Sequence, residues 1–61
     1  MKDVYVVGGC SVRLSQIASL EMVAYYQCRI NLINGQIIDL YGTSDEFVKS
    51  LSNLKENFQL Q

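Results

Sequence analysis

The side chains able to do chemistry in this 61-residue chain are two cysteines, scattered serines and carboxylates, four tyrosines and two arginines. There is no histidine, so the commonest general base is missing. Cys10, Ser11 and Ser15 have no neighbour in sequence that would activate them as nucleophiles. Cys10 and Cys28 match no metal or redox spacing. Without histidine a four-ligand zinc site cannot be assembled from its usual donors. Cysteine ranks among the most buried residue types, so buried free thiols are expected, both reduced and at least one of them buried, with one disulfide between them as the alternative. The carboxylates Asp3, Glu21, Asp39, Asp45, Glu46 and Glu56 are spread along the chain, as solvated surface groups are. These residues predict no catalytic site, no metal and no cofactor. The chain reads as a non-enzyme.

Gly8-Gly9 in a valine-rich context has the look of a nucleotide-binding turn, but the third glycine and trailing acid of that fingerprint are absent. A phosphate site at the start of a helix near Thr43 would face Asp45 and Glu46, which repel an anion. Tyr5, Tyr25, Tyr26 and Tyr41, with Arg13 and Arg29, raise a stacking platform for single-stranded nucleic acid. That chemistry needs a positive groove. The five basic residues are dispersed and the net charge is −1.

Such a short chain makes one domain, residues 1–61. A 60-residue chain buries only about 60% of its unfolded surface, and small cores are usually reinforced by a disulfide, a metal or a partner. With the first two disfavoured, association is the expected reinforcement. Hydrophobic content of 49% with 18% charge is the opposite of a disordered composition. Arg13, Glu21, Arg29 and Asp39 interrupt every apolar run short of the ~18 residues of a membrane span. No membrane partner is expected, and the absence of a secretory-signal pattern predicts a cytoplasmic setting.

The elements that must position these residues follow from the pattern. Lys2 to Val7 is β-branched and aromatic, as strands prefer. Gly8-Gly9 is a hairpin signal, and Cys10 to Leu14 is the return strand, with Cys10, Val12 and Leu14 on one face. Ser15 to Ala18 reads either as a helical turn capped by Ser15 or as a strand connection. From Leu20 to Leu32, apolar residues fall on alternate positions, which predicts one long, bent strand. Asn34-Gly35 predicts a two-residue type I′ turn. Gln36 to Tyr41 is the last strand, with Ile37 or Ile38 and Leu40 facing inward. Thr43 and Glu46 have capping-box spacing, and Thr43 or Ser44 is the expected cap of a helix that reaches at least Leu54. Phe47, Val48, Leu51, Leu54 and Phe58 then form one helical stripe, before a frayed tail over 57–61. The expected fold class is α+β: an antiparallel β-meander of about four strands, with one C-terminal α-helix packed on one face.

The run from Arg29 through Asn34-Gly35 to Gly42, followed by the capped helix, resembles two families. One is the LytTR-type DNA-binding domain and the other the FlbD-type small flagellar protein. The resemblance covers residues 28–51 and implies a strand–hairpin–helix ending. The chain departs from both in its Gly8-Gly9 hairpin and in lacking the basic surface of a DNA binder, so no functional residue carries over.

With one face of the long strand under the helix, Val23, Tyr25, Arg29 and Ile33 are left outside. Aromatic residues and arginine are enriched at protein interfaces. The expected interface is Tyr25, Arg29, Ile33, Val23 and Tyr5. The function this implies is a small protein-interaction module, forming a homodimer or binding a larger protein as a regulator or inhibitor. The alternative is a small nucleic-acid-binding transcriptional regulator.

Overall fold

A computed structural model describes residues 2–60 of the chain. The fold is α+β. Its elements are β1 (Val4–Val7), β2 (Cys10–Arg13), a 3-10 turn (Leu14–Gln16), β3 (Ile17–Ala24), β4 (Gln27–Leu32), β5 (Ile37–Tyr41) and α1 (Asp45–Gln59). All strand pairs are antiparallel. They form two sheets, β1-β2 and β3-β4-β5, and α1 packs its buried Phe47, Leu51 and Leu54 into the core they share.

The expected long strand is corrected: it is a hairpin, β3 and β4 turning at Tyr25-Tyr26. Across that hairpin Leu20 pairs with Ile30 and Met22 with Cys28. Even-numbered positions therefore share one face in both strands, and the period-two pattern passes through the turn unbroken. A register shift between Met22 and Ala24 absorbs the extra residue, Val23. The meander accordingly has five strands in two sheets instead of four in one.

Both glycines of the first hairpin have positive φ, +59° at Gly8 and +80° at Gly9, as a type I′ turn demands. The second Gly-containing hairpin differs from expectation. Gly35 alone has positive φ (+91°), and its N–H donates to the Leu32 carbonyl at 3.0 Å, while the Leu32 N–H donates to the Gln36 carbonyl at 2.8 Å. That is a three-residue loop over Ile33, Asn34 and Gly35, with the glycine supplying the left-handed position. Asn34 instead uses its side chain, accepting from the Gln36 N–H at 2.9 Å, an Asx-type brace.

Residues 14–16 form the helical turn. Ser15 does not cap it. Its N–H and hydroxyl donate to the Asp3 carboxylate at 2.9 and 3.0 Å, tying the start of the first sheet to this corner. At α1 the cap is Ser44, whose hydroxyl accepts from the Phe47 N–H at 3.1 Å. The capping box on Thr43 and Glu46 is thereby displaced by one residue, leaving Phe47 where the reciprocal acid would stand. The helix continues to Gln59, so residues 57–59 of the expected frayed tail are helical. Gln61 lies outside the described residues.

The core is built from Tyr5, Val7, Val12, Leu14, Ile17, Cys28, Ile30, Leu40, Phe47, Leu51 and Leu54. No described helix is long and apolar enough to cross a membrane.

Candidate interaction surface

With Cys28, Ile30 and Leu40 committed to the core, the odd-numbered residues of the three-stranded sheet form its outer face from Ser19 onward; the register shift before Ser19 turns Ile17 inward. Register places Glu21, Arg29 and Asp39 in one row across the three strands. The Arg29 Nε donates to Asp39 Oδ1 at 3.2 Å. In the next row Asn31 donates to the Ser19 hydroxyl at 2.9 Å. The centre of the face is therefore polar and, apart from Glu21, internally paired. At this exposure the Arg29–Asp39 pair contributes little to stability, about 0–1 kcal/mol. Its effect is to leave no unpaired cation in the middle of the face.

Apolar side chains flank that centre at both ends of the sheet. Val23, Tyr25, Tyr26 and Tyr41 are exposed at the end where β3 turns into β4. Tyr25 and Tyr26 meet edge to face, ring centroids 4.9 Å apart, a favoured aromatic geometry. The Gly42 N–H donates to the Tyr26 carbonyl at 3.2 Å, which holds the turn against the end of β5. Ile33 and Ile37 are exposed at the opposite end.

Of the residues singled out in sequence, Val23, Tyr25, Arg29 and Ile33 are exposed. Tyr25 and Ile33 do not meet: they occupy turns at opposite ends of β4, roughly 26 Å apart at the usual rise per residue. Arg29 lies midway between them. Tyr5 is a correction, because it is 5% exposed and part of the core. It pairs with Val12 on the inner side of the first hairpin, and Val4 and Val6 take the outer side. Ile37 and Tyr41 were missed. The parity that sends Ile38 and Leu40 inward places both outside, and that alternation was the available signal.

The thiols divide. Cys10 is exposed and Cys28 buried, and both are free, in line with the expectation of reduced thiols of which at least one is buried. Burial pushes the Cys28 thiol up from its ordinary value, against a smaller opposing contribution from the Glu21 backbone hydrogen bond. No group of three or more metal-ligating side chains occurs among the described residues. A cleft of about 410 Å³ lies at the seam of the two sheets, lined by Val4, Ser11, Val12, Arg13, Gln16, Leu32 and Ile38. A smaller one of about 260 Å³ separates the Gly8-Gly9 turn from the start of α1.

No family model, curated protein or solved structure matches the chain. The site must be read from its own geometry. Both arginines a nucleic-acid surface would use face carboxylates, Arg29 at Asp39 and Arg13 at Asp3, the latter at 3.9 Å. An electrostatic footprint for phosphate is therefore without support here.

Proposed function

We propose that this chain is a small, non-enzymatic protein-interaction module that works by presenting the outer face of its three-stranded sheet, and that it associates with itself. One observation carries this reading. The face combines exposed Tyr25, Tyr41, Ile33, Ile37 and Val23 with a centre in which Arg29 and Asp39 neutralise each other. An interface favours that makeup: aromatic and aliphatic anchors around an arginine whose charge is already met within the chain, with Glu21 the one carboxylate of that row outside the pair. The non-enzymatic part rests on the sequence, which has no histidine, and on Asp3 and Asp39 being engaged in structural pairs. Binding to a larger protein as a regulator would use the same face.

Sedimentation equilibrium of the full chain at micromolar concentration tests self-association. A mass twice the 6.9 kDa of the monomer is expected. Tyr25→Ala and Ile33→Asp report whether the two ends of the face take part. A monomer at the highest attainable concentration would refute self-association.

A further inference from the structure

We infer that β5 is the docking edge, and that its occupant is β5 of a second copy, paired antiparallel about a two-fold axis at Asp39. This deepens the self-association proposed above and rests on it.

The hydrogen-bond pattern fixes which backbone groups of β5 are free. At one end the Gln36 carbonyl accepts from Leu32, and at the other the Gly42 N–H donates to Tyr26. Between them the β4–β5 register runs without a shift. Backbone groups alternate along an antiparallel strand. Ile38 and Leu40 therefore bond inward to β4, and Ile37, Asp39 and Tyr41 turn their N–H and C=O groups to the open edge.

Open edges are usually protected by bulges, shortness or charge. β3 carries two register irregularities. β1 and β2 have four residues each; β1 lies against α1, and Arg13 sits on β2. β5 is regular, five residues long and has no proline or lysine. Among the sheet edges it is the longest without a register irregularity, and its one charge, Asp39, is engaged by Arg29 of the neighbouring strand.

A two-fold contact requires a patch complementary to itself. β5 reads apolar, apolar, acidic, apolar, apolar from Ile37 to Tyr41, the same in either direction. With the axis at Asp39, Ile37 faces the partner's Tyr41 on the outer side. Ile38 faces the partner's Leu40 on the inner side. Each odd pair exchanges its N–H and C=O groups, and every apolar side chain meets an apolar one. The two Asp39 carboxylates are the one like-charged pair, unfavourable by itself, and each is already engaged by its own Arg29 at 3.2 Å. The two outer faces then join into one continuous six-stranded surface.

Engineered cysteines test the register. In an antiparallel hydrogen-bonded pair the Cα atoms lie about 5.5 Å apart, within disulfide reach. The full chain carrying Cys10→Ser and Asp39→Cys should oxidise almost wholly to a covalent dimer. With Cys10→Ser, Ile37→Cys alone and Tyr41→Cys alone should stay uncrosslinked, while a mixture of the two should link. That mixture keeps Asp39 and Arg29 intact, so it covers the case in which Asp39→Cys fails to fold. Sedimentation of the unaltered chain runs alongside. A dimer that links at neither position, or that links through Ile37→Cys or Tyr41→Cys alone, overturns the β5 pairing and leaves self-association standing. A monomer overturns both.

Discussion

Phe47 is wedged between two glycines from different sheets. A Cβ on Gly42 would stand 2.6 Å from its Cγ, and one on Gly8 2.9 Å from its Cε1. Gly42 has no positive φ, so its absent side chain is a matter of space. Gly42→Ala should cost about 1–3 kcal/mol, the usual range for overpacking. Urea unfolding should find most of that cost gone in a Phe47→Ala background, which removes the Cγ and the ring, because contacting residues couple. Gly9→Ala has nothing within 4 Å but a φ of +80°, so its cost of ~1–2 kcal/mol is backbone strain alone and should not change with residue 47. Equal rescue of both would refute the steric account. The sequence marks Gly42 as the end of a strand and cannot reveal the ring above it, which arrives from the following helix. The thiols are a second residue-scale contrast. Native Cys10 should alkylate within minutes near neutral pH, whereas Cys28, buried and with its thiol held protonated, should react only when the chain opens. Equal rates would contradict the placement of Cys28.

At the scale of elements, the caps and turns make separable predictions. Ser44→Ala should destabilise by about 1 kcal/mol, the typical loss for an N-cap, and Thr43→Ala by less than about 0.5 kcal/mol, as for an uncommitted surface site. The reverse order would restore the cap to Thr43. Gly35→Val should cost ~1–2 kcal/mol, since only Gly35 in its loop needs positive φ. Most of this level was legible. Alternation and the Asn-Gly and Gly-Gly pairs located two of the three hairpins, and the Phe47–Phe58 stripe located the helix. The missed third hairpin has a physical origin. Leu20 to Leu32 alternates through Tyr25-Tyr26 because Leu20 opposes Ile30 and Met22 opposes Cys28, so parity alone cannot separate one long strand from two short ones. No glycine, proline or asparagine marks that turn. It is held by partners distant in sequence, the Gly42 N–H on the Tyr26 carbonyl among them.

The whole molecule separates folding from association. Its Cα radius of gyration is 10.5 Å, which equals the value of roughly 10.5 Å expected for a folded chain of this length. Among the described residues, eleven apolar ones are already buried in one copy, so the monomer has a core without a partner. Ile37 and Tyr41 remain 60% and 69% exposed and contribute nothing to that core. A second copy on β5 would then add to stability by mass action. Raising the protein concentration tenfold should add about 1.4 kcal/mol to the unfolding free energy of the dimer, seen as a rising urea midpoint. Ile37→Lys places a solvated cation on the pairing edge, the protection that natural edge strands use. Its midpoint should fall to that of the monomer and become independent of concentration, while its far-ultraviolet circular dichroism keeps the α1 signal. A variant unfolded at every concentration would mean that the second copy completes the fold. A midpoint still rising with concentration would place the contact elsewhere than at residue 37.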